Sequence, residues 1–390
     1  MNEPTDYEAE LARIDEDISA LEAGAFGPPL DTEKATRFVY LRYQRGSLKG
    51  DFDELEAART LIDHLIPQVR HASDLYFLKA NLDFKFHRLA DVRRSLEADA
   101  GLRESPEGRA LRADLDFQEG RYGAAEEGYE RLIREDRAWD SLARLAHVRA
   151  KMGDADGADR LYQEAEDELT AKEMRHYSWV ELQRGLLDLT RGRYAEARAH
   201  YVRAERAYSG HWTVEEHMAE LLGVEGEFDA AAALYEKVCA RVPRPEFYQS
   251  LGELYQYMGC PEQAEPWLER ARSAYLASAE RGDVHYYHHL ADFYADVRED
   301  GAEAVRWARR DVGLRRNFST LAALAWALYR AGQLAESVKV MDEALASGAK
   351  DAHLFFRAGT IRRAADGDGE EFLRMAAELN PRLRNFHVHR

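Results

Sequence analysis

The chain has 390 residues, 45% of them hydrophobic and 32% charged, and a formal net charge of −18. No apolar run approaches the roughly 20 residues that cross a bilayer, and an acidic surface repels the phosphate backbones that Lys and Arg would have to neutralise. Neither a membrane-spanning protein nor a nucleic-acid binder is expected. Cys239 and Cys260 lack CxxC spacing, and the acidic start MNEPTDYEAE lacks the basic and apolar stretches of a secretory signal; both features point to structural thiols and a cytoplasmic setting.

In residues 1–30, Leu11, Ile14, Ile18 and Leu21 recur at three- and four-residue spacing, which predicts a helix with one apolar stripe. The stripe suits a cap over the exposed end of a helical stack. The alternative is a dimerisation seam, although nothing else in the residues supports a homo-oligomer and so short a seam is unstable alone. Ala25-Phe-Gly-Pro-Pro-Leu30 breaks this helix.

A repeating pattern fills residues 31–351. Its first unit, around Tyr43, Gly50 and Leu55, reads as degenerate, with Tyr43 where a small residue is expected. Beyond it a small residue returns at Ala80, Ala113, Ala146, Gly185, Ala219, Gly252, Ala291 and Ala325, in steps of 33, 33, 39, 34, 33, 39 and 34. Gly120, Gly153, Gly192, Gly226, Gly259 and Gly332 fall where a left-handed residue would end each first helix. Each second helix repeats a pair four apart, such as Ala125 with Tyr129 or Ala231 with Tyr235, on one helical face. The clearest unit begins at Pro245 and carries Tyr248, Leu251, Gly252, Tyr255, Ala264, Leu268 and Ala271.

On these residues the chain resembles the tetratricopeptide repeat family, whose period is about 34 residues. The resemblance spans roughly residues 36–380 and implies an all-α fold, a right-handed α-α superhelix of antiparallel helical hairpins. About nine units would fill 31–351, and a degenerate capping repeat with a short tail would occupy 352–390. Gly252 and Ala264 are small because the two helices of a hairpin cross there. The two steps of 39 add residues near Lys172–Tyr177 and Ala279–Asp283, expected to lengthen second helices. Pro266 falls inside a predicted helix, where it should remove a hydrogen bond and introduce a kink.

Motifs that carry chemistry are missing: there is no GxxxxGK[ST], GxSxG, HExxH or Cys/His zinc framework. Neither an enzyme nor a bound cofactor is expected. Asn317-Phe-Ser319 matches a glycosylation acceptor, which a cytoplasmic chain would not use.

What the resemblance implies for function is a scaffold whose first helices line a concave groove that holds another protein or a peptide segment. In this register the groove residues are Phe77, Leu78, Phe84, Leu111, Phe117, Trp179, Leu182, Leu186 and Leu189 in the earlier units. In the later ones they are Glu216, His217, Glu220, Glu246, Gln249, Glu253, His285, His288, His289, Asp292 and Asp296, followed by Trp326, Tyr329 and Arg330. Apolar anchoring in the first set and charge complementarity in the second would give recognition. Two alternatives stay open: a register off by one residue, or a groove filled by the N-terminal helix or the C-terminal tail. A rival function is metal handling or metalloprotein assembly. His285, His289, Asp292 and Asp296 fall at i, i+4, i+7 and i+11 of one predicted helix, and imidazoles four apart can share a metal. His285, His289 and Asp292 are the candidate ligands; the plainer role for them is polar contact with a peptide.

Overall fold

A computed structural model of the protein describes residues 3–22, 24, 26, 30–69 and 71–388. Among the described residues there are 22 α-helices and no strand, and no helix is long and apolar enough to cross a membrane. Met1 and Asn2, most of the predicted helix-breaking stretch (Ala25, Gly27, Pro28 and Pro29), and His389 and Arg390 lie outside the described residues. In chain order the helices are α1 Asp6–Glu22, α2 Thr32–Lys49, α3 Phe52–Leu65, α4 Ser73–Lys85, α5 Leu89–Ala98, α6 Ala100–Glu104, α7 Pro106–Gln118 and α8 Tyr122–Glu135. There follow α9 Trp139–Lys151, α10 Ala155–Asp167, α11 Met174–Leu189, α12 Tyr194–Ala207, α13 Trp212–Glu225, α14 Phe228–Arg241 and α15 Pro245–Tyr257. The last are α16 Pro261–Glu280, α17 Tyr287–Asp292, α18 Gly301–Leu314, α19 Phe318–Arg330, α20 Leu334–Leu345, α21 Ala352–Asp366 and α22 Glu370–Leu379.

The predicted crossing of small residues explains the hairpins. A Cβ added to Gly252 would stand 2.5 Å from Leu268 Cδ2, so the first helix can approach the second only without one. The same device corrects the reading of the first unit. Its crossing residue is Gly46, where a Cβ would lie 2.9 Å from Leu55 Cδ2, and not Tyr43. Gly46 precedes Ala80 by the usual 34 residues, and Gly359, against Leu373, follows Ala325 by 34. The end units are regular where it matters for packing.

The two long steps resolve differently. The second lengthens α16 to 20 residues, as expected. The first does not lengthen α10, which has 13 residues; its extra residues form a turn in which Glu173 accepts from the amide and hydroxyl of Thr170, and then the start of α11. Pro266 interrupts no helix: α16 runs through it. Pro266 and Glu262, whose carbonyl loses its donor, are both exposed, which leaves that carbonyl open to water.

One hairpin is irregular in a way that spacing alone encodes. From the crossing residue to the small residue of the second helix is 12 positions in Gly252 to Ala264 but 13 in Ala291 to Ala304. The additional residue is absorbed as a π turn over Phe293–Val297, with the Arg298 amide donating to the Phe293 carbonyl at 3.0 Å. Inserted residues in helices commonly take this form.

The chain divides into two compact units, Met1–Asp114 with Tyr208–Gly210, and Leu115–Ala207 with His211–Arg390. In the first, α1 lays the buried Ile14 and Ile18 on α2, and Arg45 of α2 donates to Asp15 at 2.8 Å. In the second, the hairpins form a superhelix whose successive coils touch. The Asn317 side-chain amide donates to the Gln118 carbonyl at 3.0 Å, the Phe318 amide to the Tyr122 hydroxyl at 2.8 Å, and the Lys350 amide to the Lys151 carbonyl at 3.0 Å. Each contact joins a turn near the start of the unit to the loop six hairpins later. Asn317, the glycosylation candidate, is 7% exposed and serves as the N-cap of α19 in a capping box with Thr320.

Candidate binding groove

Inside the superhelix of the second unit, α9, α11, α15, α17 and α21 turn their inner faces towards a cavity of about 470 Å³. These are first helices of their hairpins. Of the residues expected in the groove, Leu186, Gln249, Glu253, His288, His289, Asp292 and Asp296 line it. Its charges balance: Glu253, Asp292, Asp296 and Asp351 face the same space as Lys151, Arg191, Lys350 and Arg357. Asp292 accepts from Arg357 at 3.2 Å, Asp296 from Trp326 Nε1 at 2.8 Å, and Glu253 from Gln249 at 2.7 Å. The acidic, histidine-bearing face expected in this half is therefore of mixed charge, because Lys151 of α9 and Arg357 of α21 bring cations to it.

The remaining expected residues have other settings. Leu78, Leu111, Leu182 and Leu189 are core residues, each no more than 5% exposed. They point into their own hairpin stacks and not into a groove. Phe117 is partly buried between Tyr122 and His147, at ring distances of 5.4 and 5.3 Å, where it helps seal one coil against the next. Trp179 is half-exposed and edge-on to Trp139 at 6.0 Å. Trp326 and Tyr329 lie against one another at 5.0 Å, partly buried, and Arg330 donates to the Ala295 carbonyl. In the first unit Phe77 lines a separate open cavity between α2 and α4, beside Thr36 and Tyr40, and Phe84 is partly buried. Glu216 is buried beside His217 at 2.8 Å. Glu246 is drawn upward by burial, but the charges of Arg244 and His289 outweigh this and hold it below the ordinary carboxylate range.

The predicted histidine stripe is broken. His285 lies in the turn before α17, and Asp296 lies in the π turn, so the four residues do not share one regular α-helix. The ligand atoms of His285, His289 and Asp292 do not gather within 4.8 Å of one another. His289 stacks on Tyr275 at 5.5 Å and His285 lies against Tyr286 at 4.1 Å. Burial pushes the His285 imidazole down to about 4.

The groove has an occupant that the sequence left open as an alternative. After α22, residues 380–388 cross the inner face of the superhelix. Asn385 donates its side-chain amide to the Val224 carbonyl at 2.9 Å, and the Val388 main-chain N–H donates to Glu220 Oε1 at 2.8 Å. Between them, Phe386 is 3% exposed against Gly223, where a Cβ would stand 2.6 Å from its ring, and edge-on to Tyr257 at 5.9 Å. The segment thus runs antiparallel to the last two turns of α13. His387 is buried beside Tyr194, whose hydroxyl is 3.4 Å from Nε2, and Arg382 covers the Tyr194 ring. Burial, eased by Arg382, pushes the Tyr194 hydroxyl up to about 12. Val388 lines the cavity.

Sequence reasoning did not find the buried acids. Glu181, 1% exposed, accepts from Arg203 at 2.7 Å and Tyr177 at 3.0 Å and lies 2.6 Å from His200. These partners come from α11 and α12, and their polar periodicity within an amphipathic helix looks like an ordinary solvated face. Cys239 is buried, its thiol pushed up to about 12 by desolvation, which suits a structural role.

Residues 318–350 match a family model described as the tetratricopeptide repeat. The sequence matches no curated protein at a significant level. Among solved structures, it is similar to the APC/C Cut9–Hcn1 hetero-tetramer, with 16% identity over 96% of this chain and 80% of that one and a TM-score of 0.45. Yeast Tom70 is similar at 12% identity over 94% and 89%, with a TM-score of 0.43. A tetratricopeptide repeat protein from Parabacteroides merdae is similar at 17% identity over 61% and 98%, with a TM-score of 0.35. Scores this low add nothing to the geometry above. The same crossing residue returns from Gly46 to Gly359 around that matched unit: the chain is an all-α solenoid of helical hairpins, one of which matches the tetratricopeptide repeat.

Proposed function

We propose that the protein is a binding scaffold that takes an extended segment of another protein into the inner face of its second unit. The observation that carries this reading is that residues 385–388 already lie there, non-helical, with a side-chain amide, an aromatic ring and a main-chain N–H each met by a group on α13. Such a face supplies hydrogen bonds to backbone and a pocket for one side chain, which is how extended peptides are commonly held. Val388 lines the cavity together with Leu186, Glu253, His289 and Asp292, so a segment bound along α13 would meet both apolar and charged groups there.

Selection from a random-peptide display library on the full chain tests the reading. Peptides should enrich, and their binding should be lost in Leu186→Glu and Glu253→Lys while the helical circular dichroism of both variants is kept. No enrichment, or enriched peptides indifferent to both substitutions, would contradict it.

A further inference from the structure

Resting on that reading, we infer that residues 385–388 are a built-in competitor for the partner and that they display the partner's pattern: a side-chain amide, an aromatic residue immediately after it, and a free main-chain N–H two residues further on. Each element meets a group on α13. Gly223 lies in the last turn of α13, where glycine is a poorer helix former than alanine, and the atoms that a Cβ there would strike first are those of the Phe386 ring. The missing side chain is the floor of an aromatic pocket. Tyr257, 52% exposed, forms its wall and stays within reach of a ring arriving from solvent. Glu220, fully buried, presents a carboxylate oxygen to a main-chain amide, a buried acceptor that is costly to leave unmet.

Much of the present occupant faces solvent. Asn385, Arg384 and Arg382 are exposed, and apart from Phe386 and His387 nothing between 381 and 388 is buried. A segment so attached can leave when a better ligand competes. Because it is tethered, it competes at an effective concentration on the order of millimolar. A partner without the aromatic residue could not displace it, so the segment sets a specificity threshold as well as an affinity one.

The test uses a fluorescently labelled peptide of residues 380–388, NPRLRNFHV, titrated by anisotropy into the full chain and into its Phe386→Ala variant. The variant should bind the peptide at least tenfold more tightly than the wild type, since its own segment no longer fills the pocket. The same peptide with alanine in place of its phenylalanine should not bind either chain. Adding Tyr257→Ala to the Phe386→Ala chain should weaken the intact peptide several-fold without altering the circular dichroism. Equal binding by wild type and variant, or no binding to the variant, overturns the inference. If display peptides lacking an aromatic residue still bind through Leu186 and Glu253, the scaffold reading stands and this inference alone falls.

Discussion

Val388 donates its main-chain N–H to Glu220 across a separation of 168 residues, and this bond ties the segment after the last hairpin to a helix in the middle of the array. Glu220 is fully buried. Burying a carboxylate is tolerable only when hydrogen bonds replace water, and the segment supplies one of them. Packing of Phe386 on Gly223 and the bond at Glu220 should therefore form and break together.

Replacing Phe386 with alanine should release residues 381–388. Arg382 and Arg384 are exposed already, yet both lie in a turn that must open before a protease can bind the chain around them. Cleavage tracks the population of the open form, so trypsin should cut after these arginines about tenfold faster in the variant. An unchanged cleavage rate would mean that the ring does not hold the segment.

Substitution at the hairpin crossings should reveal the register. Gly252→Val meets the Leu268 side chain at 2.5 Å and Gly46→Val meets that of Leu55 at 2.9 Å, so both should overpack their hairpins by about 1–3 kcal/mol, the first more than the second. Urea denaturation is the measurement. A neutral Gly46→Val would return the crossing of the first unit to Tyr43.

The contact between coils rests on buried polar groups. In Tyr122→Phe the Phe318 amide loses the hydroxyl that accepts it at 2.8 Å, and an unsatisfied buried N–H costs about 1–3 kcal/mol. Hydrogen exchange should quicken at Phe318 and along the start of α19, while α13 and α14 keep their protection. Uniform loss across the second unit would show that the coils unfold as one body.

Acid should loosen the segment before α17 first. The folded pKa of His285, about 4, lies below its unfolded value near 6.5, with burial as the main cause. The unfolded state therefore binds more protons between these values, and stability falls as pH drops from about 6.5 towards 4. Burial first, then Arg244 and His289, oppose the charged ring and together outweigh Asp283 and Glu246, which favour it. The depressed Glu246 carboxyl acts in the same direction, since its contribution is present above the unfolded carboxylate pKa and is lost as pH falls through its lower folded value. After correction for the intrinsic pH dependence of exchange, amides of 283–297 should exchange faster at pH 5 than at pH 7. No change would place His285 in a more solvated setting.

Much of the fold was readable because a hairpin repeat is a local device. Small residues at Ala80 through Ala325 mark helix crossings, and glycines mark turns, so the period appears directly in the letters. Gly46 does not stand out in the sequence because Tyr43 and Gly50 suggest a shifted register, which only the contact with Leu55 resolves. The π turn was written in a spacing of 13 instead of 12, a signal easily lost among loop-length changes. Contacts such as Asn317 with Gln118 could not be read at all. They depend on small rotations summed over six hairpins, and no local pattern records that sum. The occupancy of the groove by residues 385–388 has the same origin, and so does the mixed charge of the cavity.

Whether residues 385–388 sit on α13 is decided by the exchange rate of a single amide. With valine-selective ¹⁵N labelling, the Val388 amide should exchange at least about a hundredfold more slowly in the full chain than in the free peptide 380–388, as expected for a bond protected by native structure. The protection should vanish in Phe386→Ala. Exchange of Val388 at the free-peptide rate in the wild type would contradict the account.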